Sequence, residues 1–134
     1  YAGKGADGLK EVDALIEEKP GDTSLLNAAC WYRARFRVDA DRTIEVCNQA
    51  VERASNAAAV LDSRALAWVA QGNLQNALAD VESALKISPS QLASLYLRAW
   101  IGNAMGKPEA KADLAYFRKV TPGLVQDYAR YGLK

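Results

Sequence analysis

The feature that most restricts the fold of this chain is a sequence pattern that recurs about every 34 residues. The segment Val60–Ala65 reappears as Ser94–Ala99, and Gly72 reappears as Gly106. In the second half of the unit the match is one residue short, so that positions 77, 81, 84 and 89 correspond to 110, 114, 117 and 122. Such a period is typical of stacked helical units, each of which buries an apolar face against its neighbours. We therefore predict an all-α fold, an α-solenoid of about three helix-turn-helix repeats.

Apolar residues at helical spacing predict two helices in each unit. In the middle repeat, 58–89, Leu61, Ala65 and Trp68 lie on one face of the first helix. Gly72 is expected to end that helix, because glycine tolerates the left-handed conformation of a helix C-terminus. The second helix is expected to end before Pro89, since proline disfavours helix at the preceding residue. Repeats at 23–55 and 91–122 follow the same plan.

The remaining segments complete a single domain of 134 residues. Residues 1–8 contain three glycines and are expected to be flexible. Residues 9–20 are predicted to form a helix of a partial repeat, and 123–132 a capping helix. No stretch approaches the roughly 18 apolar residues that a membrane span requires. The 17 basic and 16 acidic residues show no basic surplus, so we predict neither membrane insertion nor nucleic acid as a partner.

The residue types present argue against catalysis. The chain contains no histidine, which removes the commonest general base and every Ser–His or Cys–His pair. Two cysteines without histidine cannot build a Cys2His2 or Cys3His zinc site. We therefore predict a protein that is not an enzyme, with no catalytic residue, no cofactor and no metal ion.

The two cysteines, Cys30 and Cys47, fall at core positions of the first repeat. The favoured interpretation is a pair of buried free thiols that pack as small hydrophobic groups. The alternative is a disulfide between the two helices of that repeat, which would indicate an oxidising compartment. A cytoplasmic and an exported location both remain open.

The repeated residues resemble the tetratricopeptide repeat, a helix-turn-helix motif with a fixed pattern of small and bulky positions and a closing proline. Arg64 stands where that motif usually has leucine, and the last repeat departs from it at Gly102 and Phe117. The first repeat fits best when it is aligned from Leu26, although an alignment from Leu25 also fits the spacing. In the middle repeat the matching residues are Leu61, Ala65, Trp68, Ala77, Val81, Ala84 and Pro89.

In this family the first helices of successive repeats line a concave groove that accepts peptides. The resemblance therefore implies a non-catalytic module that binds a protein or peptide segment. Asn27 and Asp62 would select polar groups, and the equivalent Trp31, Leu66 and Trp100 would form an apolar stripe. Two alternatives are that a terminal segment of the chain covers this stripe, or that it forms a homodimer contact. The expected contact residues are Asn27, Trp31, Asp62, Leu66, Tyr96, Trp100 and Asn103.

The ending Tyr128–Leu133 also resembles the repeat tails of proteobacterial proteins, some of which follow transglutaminase-like or other exported domains. This narrower resemblance implies an accessory docking tail of a larger exported enzyme, as an alternative to an independent binding module.

Arginines are concentrated at the turn of the first repeat, at positions 33, 35, 37 and 42. Because Asp39, Asp41 and Glu45 lie among them, we expect a solvated and self-neutralised surface, in preference to one that attracts an acidic partner. Arg64 is expected to have a structural role, with its guanidinium bound to helix carbonyls or to a carboxylate such as Asp62.

Overall fold

The computed structural model describes residues 2–37, 39–54 and 57–134, and these ranges contain helices and no strands. The side chains of residues 2–7, 9 and 12 are outside the description. Tyr1, in the predicted flexible segment, and Ser55, at the predicted end of the first repeat, also lie outside the described residues. The helices are α1 (Ala2–Glu18), α2 (Thr23–Phe36), α3 (Ala40–Arg53), α4 (Ala58–Gln71), α5 (Leu74–Ile87), α6 (Leu92–Ala104), α7 (Ala110–Val120) and α8 (Pro122–Arg130). The all-α prediction is confirmed.

Each helix packs against the next one along the chain, from α1 to α8. In addition, α2 contacts α4 and α4 contacts α6, so these three helices lie side by side in a row. One continuous core of buried apolar residues runs from α2 to the C-terminal residues. Within the described residues, no helix combines the length and the apolar character that crossing a membrane requires.

The ends of α4 and α6 show the same backbone geometry 34 residues apart. Gly72 and Gly106 have φ angles of 85° and 84°, in the left-handed region. The next residue in each case, Asn73 or Lys107, donates its N–H over 2.9 Å to the carbonyl five residues earlier in the chain, that of Trp68 or Gly102. This arrangement satisfies carbonyl groups that a helix end would leave without partners. The predicted end of the first helix at Gly72 is therefore confirmed.

Small residues lie where paired helices cross. Ala65 on α4 and Ala77 on α5 are fully buried, which allows the two helices to approach closely. Gly102 on α6 has the same effect, because a Cβ atom placed there would lie 3.3 Å from the Cβ atom of Ala110 on α7. The departure from the repeat motif at Gly102 is thus explained by close packing of this helix pair. Leu26 is also fully buried, which favours the alignment of the first repeat from that residue.

The first helix is longer than expected. It begins at Ala2, within the segment that the glycine content predicts to be flexible. Docking on α2 explains the difference: a Cβ atom at Gly8 would overlap the Tyr32 hydroxyl, so glycine permits this close approach. Asp13 on the same helix forms a 2.9 Å ion pair with Arg33 on α2.

The structure corrects the interpretation of the cysteines as free thiols. Cys30 on α2 and Cys47 on α3 form a disulfide, with their Cα atoms 4.8 Å apart. Both residues are fully buried where the two helices face each other, which brings the sulfur atoms within bonding distance. The disulfide therefore connects α2 to α3.

The arginines of α2, α3 and the turn between them are not uniformly solvated. Arg42 forms an exposed 3.0 Å ion pair with Glu45, as expected of a self-neutralised surface. Arg33 is different, because its side chain is buried with Asp13 as its ion-pair partner. The prediction of a solvated side chain is therefore wrong for Arg33.

Arg64 connects three helices through its guanidinium group. Its Nε and Nη2 atoms donate to the Asp80 carboxylate on α5 over 2.8 and 2.6 Å. Its Nη1 atom donates to Asn48 Oδ1 on α3 over 3.2 Å. The hydrogen bond with Asp80 raises the pKa of Arg64, against the opposing effect of burial. The partner carboxylate is therefore Asp80 and not Asp62.

Candidate functional site

A cleft of about 410 Å³ opens where the row of α2, α4 and α6 meets the C-terminal helix. We call it the Asp62 cleft, after the only residue of its lining with a carboxyl group, since the lining contains no lysine or arginine. Each of the three helices in the row contributes residues near its N-terminal end, and α8 supplies a wall. The lining residues are Ser24, Asn27, Ala28, Trp31, Ala59, Asp62, Ser63, Gln91, Ala93 and Tyr128.

The Asp62 carboxylate lies at the centre of a small hydrogen-bond network. Its Oδ1 atom accepts from Ser94 Oγ over 2.7 Å, and its Oδ2 atom accepts from Gln91 Nε2. The residue is only 6% exposed, and burial raises its pKa, while the hydrogen bonds from Ser94 and Gln91 act to lower it. In the described part of the chain, no lysine or arginine forms an ion pair with Asp62.

Polar contacts also join α2 to α4 on the floor of the cleft. The Ser63 hydroxyl donates to Asn27 Oδ1 over 3.3 Å and lies 3.1 Å from the carbonyl oxygen of Ala59. Together with the Asp62 network, this contact places polar groups from three successive first helices within one cleft.

The C-terminal helix crosses the row through aromatic side chains. The ring of Tyr128 lies 5.4 Å from that of Tyr96 on α6 and 5.4 Å from that of Tyr131. The ring of Tyr131 in turn lies 5.4 Å from Trp31 on α2, in an edge-to-face arrangement. Burial, followed by the nearby charge of Asp62, raises the pKa of the Tyr128 hydroxyl well above its ordinary value. The phenol therefore stays neutral across the physiological range.

Backbone groups hold the end of the chain against α2. Arg37 donates from Nε to the carbonyl of Tyr131 over 3.2 Å and from Nη2 to that of Gly132 over 3.5 Å. Gly132 has a φ angle of 102°, and a Cβ atom at this position would overlap the Arg37 guanidinium. The C-terminal residues are thus fixed across the row and form one end of the cleft.

A second cleft, of about 420 Å³, lies between this C-terminal segment and the end of α2. Arg35, Arg37 and Arg130 line it, together with Phe36 and Tyr131. The Arg35 guanidinium lies 4.9 Å from the centre of the Phe36 ring, a cation–π distance. The two clefts therefore differ in character: the Asp62 cleft is lined by an acidic side chain, and the second cleft is lined by basic side chains.

Three of the seven predicted contact residues, Asn27, Trp31 and Asp62, come together in the Asp62 cleft. Leu66 and Tyr96 differ from the prediction, because they are 0% and 2% exposed and pack in the core. Trp100 is half-buried and Asn103 is exposed, and neither lines the cleft. The predicted apolar stripe of Trp31, Leu66 and Trp100 is thus interrupted at Leu66, and Tyr131 of the C-terminal segment packs against Trp31.

Sequence reasoning did not select Gln91, Ser94 and Tyr128 as parts of the site. Ser94 did carry a signal, since it is a polar residue at the repeat position that the apolar Val60 occupies in the preceding unit. Tyr128 lies after the last repeat, so no equivalent position could indicate its role.

No group of three or more acidic, cysteine or histidine residues in the described ranges is arranged to hold a metal ion. In comparisons with known proteins, no protein-family model and no curated protein matches the chain.

Proposed function

We propose that this chain is a tetratricopeptide-like α-solenoid of about three repeats, and that it binds a segment of a partner protein in the Asp62 cleft without catalysing a reaction. The helix pairs, the row of α2, α4 and α6, and the equivalent helix ends at Gly72 and Gly106 support the repeat architecture. They also explain why the cleft lies where it does, since the first helices of consecutive pairs all contribute to it.

The observation that carries the proposal is the composition of the cleft. Trp31 and Tyr128 provide aromatic walls, and Asn27, Asp62 and Gln91 provide polar groups. Binding sites typically combine apolar surface with a few convergent polar groups that fix orientation. Tryptophan and tyrosine are also among the side chains that most often dominate binding energy at protein interfaces.

The C-terminal helix limits where a partner segment lies. Because Tyr128 and Tyr131 cross the row between α6 and α2, the open part is on the side of Ser24 and Ala59, near the N-terminal ends of the first helices. We therefore expect a short segment, held by a few side chains, and not a long peptide along the whole row.

Glutamine substitution of an exposed alanine in the cleft tests the proposal, because it adds bulk without adding charge. Ala28 is exposed and lines the cleft, so Ala28→Gln obstructs it without altering the core. Ala79 on α5 is also exposed and lies outside the cleft, so Ala79→Gln is the matched control. Peptides are selected from a displayed random library against the parent protein, and their affinities are compared among the three proteins by isothermal titration calorimetry.

We expect Ala28→Gln to weaken the binding of the selected peptides by about tenfold or more, equivalent to about 1.4 kcal/mol, and Ala79→Gln to leave it nearly unchanged. Circular dichroism confirms that all three proteins are folded. If the two variants bind the peptides equally well, the cleft is not the recognition surface.

A second candidate function is that of a docking tail in an exported enzyme, and the disulfide between Cys30 and Cys47 favours it. Disulfides persist mainly in oxidising compartments such as the bacterial periplasm. Lysis of source cells under denaturing conditions in the presence of an alkylating reagent, followed by mass spectrometry without reduction, tests the compartment. Recovery of the two cysteines as alkylated free thiols would contradict an exported location.

A further inference from the structure

We propose that the partner segment inserts a lysine or arginine side chain into the Asp62 cleft, with its cationic group against the Asp62 carboxylate. This inference rests on the proposed function, and it identifies the chemistry of the group that the cleft selects.

The two buried aspartates of the described chain differ in their pairing. Asp80 is 5% exposed and forms a two-pronged ion pair with Arg64. Asp62 is buried to a similar degree, but its hydrogen-bond donors are the neutral side chains of Ser94 and Gln91. A buried carboxylate is costly unless a cation compensates its charge. The fold supplies that cation to Asp80, whereas Asp62 faces a cleft that is open to a cation from outside.

The carboxylate also retains capacity to accept further hydrogen bonds. An ionised carboxylate has about four lone-pair positions on its two oxygens, and each oxygen of Asp62 accepts one hydrogen bond within the protein. Ser94 and Gln91 therefore orient the group without saturating it. An ammonium or guanidinium group can add its own hydrogen bonds, and charge-assisted hydrogen bonds of this kind are stronger than neutral ones.

The walls of the cleft match the rest of a basic side chain. Ala28, Ala59 and Ala93 offer apolar surface for the methylene groups of lysine or arginine. Trp31 and Tyr128 are aromatic, and aromatic faces attract cations. An acidic side chain would meet the like charge of Asp62, and an apolar side chain would leave that charge uncompensated.

A double-mutant cycle between the protein and a selected peptide tests the proposal. The protein variant is Asp62→Asn, which keeps the shape of the side chain. The Gln91 side chain can still form a hydrogen bond with the new amide after the Gln91 amide group rotates. In each cleft-binding peptide the basic residues are replaced in turn by methionine. We expect one such replacement to weaken binding to the parent by about tenfold and to have little effect on binding to the variant.

Two results from this cycle would overturn the inference. One is that the peptides whose binding Ala28→Gln weakens contain no essential basic residue. The other is that the methionine replacement weakens binding equally to the parent and to Asp62→Asn. In both cases the cleft still binds peptides, so the proposed function stands while the cation preference fails.

Small cations test the same site without a peptide. n-Butylammonium and n-butylguanidinium carry the head groups of lysine and arginine, and n-butanol is a neutral control. The NMR signal of the Trp31 indole N–H is followed during titration, at a pH at which Asp62 is ionised. We expect saturable shifts with at least one cation, and none with n-butanol or in Asp62→Asn.

The absence of saturation with both cations in the parent would refute the inference, even if peptide selection yields no cleft-binding sequence. Saturable binding together with a failed peptide selection would instead contradict the proposed function while retaining the cation site. The relative affinities of the two cations decide between lysine and arginine.

Discussion

Removal of the Arg64 side chain should destabilise the protein, because it leaves a buried carboxylate without its cation. In Arg64→Met the apolar stem remains, while the hydrogen bonds to Asp80 and Asn48 are lost. Breaking a buried ion pair in this way typically costs about 3–5 kcal/mol. The Arg64 side chain is partly exposed, so water can reach the site and we expect the lower end, about 3 kcal/mol.

The corresponding change in melting temperature follows from the length of the chain. With an unfolding entropy of about 2.1 cal/mol/K for each of 134 residues, a loss of 3 kcal/mol lowers the melting temperature by about 11 °C. The assay is thermal and urea unfolding followed by far-UV circular dichroism. Arg42→Met is the matched control, because the Arg42–Glu45 pair is exposed and should contribute at most about 1 kcal/mol.

The double variant Arg64→Met/Asp80→Leu distinguishes the ion pair from a general packing effect. Replacement of both partners removes the buried charge, so its stability should lie within about 1 kcal/mol of the parent. A double variant that is as unstable as Arg64→Met alone would refute this reasoning, since the loss would then come from packing. An Arg64→Met protein that unfolds at the same temperature and urea concentration as the parent would refute this reasoning as well.

Three further predictions concern stability and are measured by urea unfolding. Ala65→Arg forces a large side chain into a fully buried helix crossing and should lower the free energy of unfolding by at least about 3 kcal/mol. Arg130 is exposed, so Arg130→Ala should have almost no effect. Equal stability of the two variants would contradict the observed crossing. Reduction of the disulfide between Cys30 and Cys47, which are 17 residues apart, should cost about 3 kcal/mol, and an unchanged midpoint in reductant would argue against the bond. Burial raises the pKa of Asp62 above 3.8, so the folded state holds this proton more tightly and ionisation lowers stability above the folded pKa. Asp62→Asn should therefore be more stable than the parent at neutral pH, and this difference in stability should shrink as the pH falls towards 3.8. A difference in stability that does not vary with pH would contradict this prediction.

The helices and their ends were predictable because local rules determine them. The apolar spacing around Leu61 and Ala65 defines one helical face, and Gly72 and Pro89 act on the residues next to them. α4 (Ala58–Gln71) accordingly ends next to Gly72, and α5 (Leu74–Ile87) ends before Pro89. The start of α1 was not predictable in this way, because the docking of Gly8 against Tyr32 is a tertiary contact that overrides the helix-breaking tendency of glycine.

Only part of the cleft lining was predictable. The resemblance to the tetratricopeptide repeat placed Asn27, Trp31 and Asp62 on one groove, and these three residues line the Asp62 cleft. The burial of Leu66 depends on how closely neighbouring helices pack, and the contact of Tyr128 with Tyr96 depends on where the chain runs after the last repeat. The bond between Cys30 and Cys47 depends on a separation of 4.8 Å between Cα atoms in adjacent helices, which the sequence spacing alone does not specify.

The position of α8 means that one wall of the Asp62 cleft is encoded outside the repeated part of the chain. Tyr128 belongs to a helix of nine residues and is also part of the buried core that the preceding helices form. A substitution in this helix that alters Tyr128 would therefore change the wall of the cleft and the packing of the core at the same time, and the two effects can be separated only by measuring stability together with binding.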